Sequence, residues 1–514
     1  MLWISILIGV FVLLLLWVTY DVTQRQHAIL RNFPIIGHFR YWLETIGPEL
    51  RQYIVTSNNE ERPFSRDQRS WVYATSKQEN SYFGFGSDND LEHASNYLII
   101  KHSAFPIPSP QKGSDGYDPE FIVPCAKILG GHRKRRHAFR PASMINISGM
   151  SYGSMSANAI QALNEGSRLA GCLHNTGEGG VAPSHLHGGD LVVQVGTGYF
   201  GCRDEQGSFD LQRLVDTVQA HPVKAIEIKL SQGAKPGLGG LLPAAKVTAE
   251  IAAIRGIPVG KDCASPARHA TFHNADSLLD FVESIAEATG VPVGIKSAVG
   301  ELTFWDELAR HMATTDRGVD FISVDGGEGG TGAAPLVFAD HVAQPFKVAF
   351  QQVYRAMAGE GLHHHIVFGG AGKLGFPESA LFACAIGCDL IHVGRTAMLA
   401  IGCIQAQRCH TGHCPAGIAT QNRWLMRGLD PTLKAARLAN YVVSLRKQML
   451  QLSRACGVVH PALMTLEHFD ILDSRHGGGA GPKTTPYLPG WGIPSADDQE
   501  AITELMRQPT PSDA

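Results

Sequence analysis

This chain is short of charge. Only 18% of its residues are charged, and 44 Lys and Arg against 47 Asp and Glu leave a formal net charge of −3. Non-specific nucleic-acid binding needs a concentrated basic surface, so that class is excluded and no nucleic-acid partner is expected. The string GxxxxGK[ST] is absent, which argues against a P-loop nucleotide site. No dinucleotide-binding fingerprint is recognised, so NAD(P)H oxidation would fall to a partner subunit. A cleavable leader would open with a basic stretch and close on small residues, and the amino terminus shows neither.

Glycine is in excess, at 56 of 514 residues, where about 7% is usual. Without a collagen period, that many glycines indicate tight approaches of backbone to a ligand. Hydrophobic residues make up 44%, enough for a sizeable core and too many for wholesale disorder. The length suits roughly two to four domains, or one large α/β barrel with additions.

Residues 2–20 (LWISILIGVFVLLLLWVTY) carry no charge before Asp21. At about 1.5 Å per residue, such a helix spans a bilayer core of roughly 30 Å. Arg25, Arg31, Arg40 and Arg51 follow it and nothing basic precedes it. The expectation is a single-pass inner-membrane anchor with the catalytic body in the cytoplasm. The expected organisation is an anchor at 1–20, an extension wrapping the barrel at 21–135, a catalytic domain at 136–455 and a carboxyl-terminal extension at 456–514. The Gly- and Pro-rich tail from 474 reads as an extended strap or mobile end.

Short apolar runs recur at 144–148, 172–175, 191–195, 225–229, 292–296, 320–324, 365–368 and 389–393, several followed by helical stretches such as 157–170 and 277–289. That pattern is the signature of a (β/α)8 TIM barrel, with a doubly wound sheet as the competing architecture. Glycine-dense turns follow three of the last strands, at 325–332, 369–372 and Gly394-Arg395. Backbone N–H groups at such strand ends suit a phosphorylated cofactor, although any one cluster alone is ordinary turn chemistry. Lys296 closes the run VPVGIK and should project into the barrel mouth. There a cation could stabilise a reduced flavin ring. Lys229 holds the same position one strand earlier, with Gln232 and Lys235 in the next loop, where a dicarboxylate could meet paired cations. Cys403, Cys409 and Cys414 follow the last strand closely enough to hold one soft-metal centre. With His410 or His413 as a fourth ligand, zinc remains an alternative.

The motifs ISGMSYGSMS (147–156), HNTGEGG (174–180), IEIKLSQGAKPGLGG (226–240), DGGEGGTGAAP (325–335), GGAGKLG (369–375) and GCIQAQRCHTGHCPAGIATQ (402–421) together resemble the FMN-binding synthase domain of glutamate synthase. The resemblance covers about 140–425 in unbroken order. It implies FMN in a (β/α)8 barrel, a [3Fe–4S] cluster on Cys403, Cys409 and Cys414, and reductive amination of 2-oxoglutarate to L-glutamate. By the same resemblance Met150, Ser151 and Gly153 pack on the flavin, and Thr176, Gln194 and Lys296 contact its ring. Gly330, Thr331, Gly370, Gly372, Gly394 and Arg395 surround its ribityl phosphate. Gln232 and Lys235, with Lys229 beside them, take the 2-oxoglutarate carboxylates, and Glu178 sits where ammonia arrives.

Three departures qualify the resemblance. The chain has neither the glutaminase domain nor the glycine-rich β-helix of full-length members, so ammonia would come from solution or from a separate glutaminase. Val181-Ala182 replaces an acidic pair after TGEGG, and Asp262-Cys263-Ala264-Ser265-Pro266 replaces a PPPHH-like stretch near the substrate. The electron donor is left open among ferredoxin, a membrane carrier and an NAD(P)H-oxidising subunit. Two further readings stand beside a glutamate synthase-like oxidoreductase. One is a related enzyme acting on another amine or 2-oxo acid, and the other is a membrane electron-transfer subunit that has lost its chemistry.

Overall fold

A computed structural model describes residues 2–507 apart from 25–26, 57–59, 83, 88, 92–94, 115, 473–478 and 481–484. The chain forms two compact units, Met1–Arg69 and Ser70–Ala514. In the first, the apolar segment is one helix, Leu2–Thr23. Among the described residues it is the one helix long and apolar enough to cross a membrane. At its end the Asp21 carboxylate pairs with His38 Nε2 at 2.9 Å and accepts from the Ile35 N–H at 2.9 Å.

The second unit is built on a closed parallel barrel. Its strands are β1 (Ile145–Ile147), β2 (His174–Asn175), β3 (Leu191–Val195), β4 (Val223–Lys229), β5 (Val293–Ser297), β6 (Phe321–Asp325), β7 (Val367–Ala371) and β8 (Leu390–Val393). They pair in chain order and close through β8 onto β1, with Ile391 opposite Ile145. Closure excludes the doubly wound alternative. Each expected run overlaps one of these strands, and the largest offset is at β7. There 362–364 is a 3-10 turn, so the histidine tract ends before the strand begins.

Local chemistry explains the helical returns. Ser156 caps helix Ala157–Ala170 by accepting from the Ala159 N–H, and Asn274 caps helix Ala275–Thr289 by accepting from the Ser277 N–H. These caps satisfy N–H groups that have no partner within the helix. Helix Pro431–Ala455 lies against Ala157–Ala170, and Gly166 lets them approach. A Cβ on Gly166 would stand 2.8 Å from both the Ala435 carbonyl oxygen and Leu438 Cβ. Between β4 and β5 the chain inserts helix Ala249–Arg255 and a two-stranded hairpin, Leu241–Leu242 with Cys263–Ala264. Strand Tyr97–Ile100 pairs antiparallel with Phe469–Leu472, which joins the segments on either side of the barrel domain. Most of the glycine-rich start of the tail lies outside the described residues. The seven cysteines outside the 403–414 loop, Cys125, Cys172, Cys202, Cys263, Cys384, Cys388 and Cys456, are all buried and pack as small apolar residues.

Candidate active site

Side chains alternate along a strand, so in AIEIK the residues Glu227 and Lys229 share one face of β4 while Ile226 and Ile228 take the other. Glu227 Oε1 accepts from Asn175 Nδ2 at 2.8 Å and Gln194 Nε2 at 2.7 Å, which identifies the barrel interior as that face. Burial would push the Glu227 carboxyl up. The charges of Lys296 and His392, with hydrogen bonds from Gln194 and Ser323, outweigh it and hold the carboxyl ionised. Burial lowers the His392 imidazole, opposed by the charge of Glu227. Glu227 and His392 were not among the expected site residues. The signal was in the alternation of β4, where two polar residues two apart interrupt an apolar strand.

One layer nearer the mouth, Lys229 and Lys296 are register partners on β4 and β5, and both are buried. Lys229 Nζ lies 3.1 Å from Glu178 Oε2 and donates to Gln232 Oε1 at 3.3 Å. Burial alone would raise the Glu178 carboxyl. The charges of Lys229 and Lys235, a hydrogen bond from Lys229 and the charge of Lys296 together hold it at about 2. Burial lowers Lys229, opposed by Glu178 and reinforced by Lys296. Burial likewise lowers Lys235, which donates to the Gly239 carbonyl at 3.4 Å. The structure therefore gathers Glu178, Lys229, Gln232, Lys235 and Lys296 into one charged cluster.

Backbone contacts assemble the rim. A Cβ on Gly177, whose φ is +68°, would come within 2.5 Å of the Ser151 amide nitrogen, so the loops after β1 and β2 touch through their main chains. Met150, Ser151 and Gly153 lie on the first of these loops. Thr176 Oγ1 accepts from the Gln194 N–H at 3.2 Å, which links β2 to β3. On the opposite side Asp325 Oδ2 accepts from the Gly233 N–H at 3.0 Å, and Gln232 Nε2 donates to the Gly330 carbonyl at 3.1 Å. Arg395 is mostly buried and donates to the Glu328 carbonyl. Burial lowers its pKa, opposed by Asp325 and Glu328. Gly330 packs on the Arg395 stem, Thr331 Oγ1 accepts from the Ala333 N–H at 3.3 Å, Gly370 is the next-to-last residue of β7, and Gly372 follows the strand. A Cβ on Gly394 would meet only Ser148 Cβ, at 3.6 Å, and otherwise open space.

Two strings here, GEGGTG at 327–332 and GAGKLG at 370–375, do match G-x-G-x-x-G letter for letter. Both follow strands of a closed barrel rather than the first turn of an open dinucleotide-binding sheet, so context removes the dinucleotide meaning.

Cys409 is half-buried and Cys414 is buried in the loop after β8. Burial, then Cys414, raises the Cys409 thiol, while the Lys246 ammonium lowers it. Lys246 comes from the insertion between β4 and β5 and donates to the Cys409 carbonyl at 2.9 Å. Cys403 opens the same loop, and its carbonyl accepts from the Tyr73 hydroxyl at 2.7 Å. Gln421, at the loop's far end, donates to the Gly153 and Met155 carbonyls at 3.1 and 2.9 Å. The cysteine loop is thus fastened to the rim after β1. Among the described residues no group of three His, Cys, Asp or Glu side chains is arranged to hold a metal ion.

Comparison with known proteins agrees with this architecture. A family model described as a conserved region in glutamate synthase matches residues 126–459. A glutamate synthase large subunit-like protein of Bacillus subtilis is 37% identical over 493 residues, covering 90% of this chain and 93% of that protein. An archaeal glutamate synthase [NADPH] of Methanocaldococcus jannaschii is 38% identical over 320 residues, but there the match spans 61% of this chain and 59% of the relative. A glutamate synthase large subunit-like protein of Rhizobium meliloti is 31% identical over 346 residues, covering 64% and 74% respectively. With more than half its length matching that conserved region, the chain belongs to the glutamate synthase family.

Proposed function

We propose that the protein is an FMN-dependent glutamate synthase-type oxidoreductase that reductively aminates 2-oxoglutarate with ammonia. The overall change is 2-oxoglutarate, ammonium, two electrons and two protons giving L-glutamate and water. The observation that carries this reading is the register pair Lys229–Lys296 beside the ionised Glu178. It sets cations for a dicarboxylate next to an acceptor for an ammonium ion.

The residues suit FMN in kind. The mouth offers a cation at Lys296, a guanidinium at Arg395, glycine-rich backbone at 326–332 and 369–372, and open space beside Gly394. FMN, when bound, supplies hydride chemistry. Lys296 would neutralise charge at its ring, with Met150, Ser151, Gly153, Thr176 and Gln194 against it, and Gly330, Thr331, Gly370, Gly372, Gly394 and Arg395 would hold its phosphate. Gln232, Lys235 and Lys229 would bind and orient the acceptor's carboxylates. Glu178, ionised at neutral pH, would hold ammonium by accepting its hydrogen bonds, and could not act there as a proton donor.

At 403–414 we propose a [3Fe–4S] cluster on the three thiols. Among the described residues the three thiols are not gathered into one group, so binding a cluster would require the loop to close around it. The apolar helix Leu2–Thr23 supports anchoring of a domain at 136–455 to the inner membrane from the cytoplasmic side. The electron donor would be a ferredoxin, a membrane carrier or an NAD(P)H-oxidising subunit, and a separate glutaminase could supply ammonia. The test is anaerobic incubation of purified protein with reduced viologen, 2-oxoglutarate and ammonium. Glutamate formation and release of FMN on denaturation are expected, and a flavin-free protein without turnover would refute the reading.

One observation favours a second reading, a different amine or 2-oxo acid. The departing segment 262–266 adjoins Glu178. Ser265 Oγ accepts from the Gly240 N–H at 2.7 Å, and a Cβ on Gly240 would stand 2.8 Å from Glu178 Oε1. Turnover with a methylated amine, but none with ammonium, would establish that alternative.

A further inference from the structure

A cavity of about 580 Å³, away from the mouth, lies at the amino-terminal end of the barrel. Ala142, just ahead of β1, forms part of its wall, and segment 122–125 passes beside it, with Val123 O accepting from the Met144 N–H at 2.8 Å. Lys229, Lys296 and Arg395 stand at the other end of the strands, so this pocket is separate from the proposed active site. Its volume falls in the range of ordinary small-molecule sites.

Two features of the lining define what would fit. The apolar part comprises Phe121, Ile122, Leu450, Leu505 and Met506. The polar part is dominated by four cations, Lys112, Arg140, Lys447 and Arg454. Among the described residues none of the four forms an ion pair. Asp118, the one carboxylate among the described residues of the wall, is turned into its own loop, accepting from the Glu120 and Ile122 N–H groups at 2.9 and 2.6 Å. Backbone carbonyls anchor both guanidiniums. Arg454 Nη1 donates to Pro108 O at 2.9 Å, and Arg140 Nη1 donates to Cys125 O at 2.7 Å. Lys447 Nζ sits 5.5 Å from the centroid of the Phe121 ring, placing a charge at the edge of the apolar surface.

We propose that this pocket binds an anionic amphiphile, a carboxylate or phosphate head on a single apolar chain. A small inorganic anion would answer the cations and leave the apolar wall wet. A neutral hydrocarbon would cover the wall and leave the half-buried Arg140 and Arg454 guanidiniums without an anionic partner. An amphiphile satisfies both, because burying its chain removes apolar area from water while its head pairs with the unmatched charge. A nucleotide fits less well, since its base would face Phe121, Leu450 and Met506 with few hydrogen-bond partners.

The test uses the full chain in nanodiscs with three diazirine-bearing probes of equal chain length: an alkyl carboxylate, an alkyl phosphate and an alkyl alcohol. Labelled residues are mapped by mass spectrometry. At least one anionic probe should label 121–122, 450–451 or 505–506, about tenfold more than the alcohol does. Labelling by one anion alone identifies the head group. Lys447→Glu, at an exposed position, should cut that labelling about tenfold, and Arg454→Gln provides a second, independent variant. Equal labelling by the alcohol, labelling unchanged in both variants, displacement by a nucleotide more readily than by an unlabelled alkyl anion, or no labelling at these residues would each overturn the proposal.

Discussion

Lys296 stands within the fields of Glu227, Glu178, Lys229 and Lys235, and it is the member of this cluster that β5 carries. If it stabilises negative charge that develops only during reduction, removing it acts on rate rather than on binding. Loss of one such preorganised donor costs about 100-fold or more in kcat. Lys296→Met should therefore retain FMN after purification while viologen-driven turnover falls by about 100-fold. Full activity, or loss of FMN alone, would remove Lys296 from the chemistry. Lys296 and Lys229 were legible in the sequence because a lysine inside an apolar strand is expensive to bury without a purpose. Glu227 was just as expensive, yet its role depends on Asn175, Gln194 and His392, which arrive from three other strands. Pairing between strands is not written into any one of them.

At the scale of elements, the crossing of Ala157–Ala170 with Pro431–Ala455 pits two known effects against each other. Replacing a helical glycine by alanine favours the helix by about 1 kcal/mol. At Gly166 the added methyl would meet the Ala435 carbonyl oxygen and Leu438 Cβ at 2.8 Å, and overpacking of that kind costs about 1–3 kcal/mol. Gly166→Ala should then lower the thermal midpoint. Gly359→Ala, at a helical glycine with nothing within 4 Å of its Cβ position, should leave the midpoint level or raised. The reverse order would mean the two helices pack more loosely than described.

The cysteine loop is the other element with a direct test. It is fastened at both ends, by Tyr73 to Cys403 and by Gln421 to the β1 rim. Cys409→Ser should remove iron, measured by metal analysis, and leave the far-ultraviolet circular dichroism unchanged. A wild-type protein carrying stoichiometric zinc would replace the cluster with the alternative that the nearby histidines allow. The three-cysteine spacing was plain in the sequence. The insertion between β4 and β5 was not, because two-residue strands leave no period to read, and with it went Lys246, which sits over the loop.

Across the whole molecule, strand count and order were readable because glycine or a polar residue punctuates most of the short apolar runs. What could not be read was the set of imidazoles sealed away from the site. His185 Nδ1 accepts from the Ala182 N–H, and His460 Nδ1 accepts from the Ala462 N–H, so each ring is held in a neutral tautomer. Burial lowers both to about 4, outweighing the hydrogen bonds each makes to backbone. Burial, with the His185 ring beside it, also holds His174 well below its ordinary value. The unfolded chain, with imidazoles near 6.5, binds protons that the folded chain refuses. Stability should thus be complete above about pH 6.5 and fall as pH drops towards 4, by up to about 3 kcal/mol for each fully buried ring. Glu178 adds a second loss at lower pH. Its carboxylate, held at about 2, contributes stability that is present above the ordinary glutamate value and disappears as pH falls from there. The thermal midpoint measured at fixed scan rate should decline between pH 6.5 and 4, and the slope should flatten in His460→Gln, whose amide can still donate to the Pro124 carbonyl. A midpoint level across that range would mean that water reaches these rings and that their burial is not what keeps them neutral.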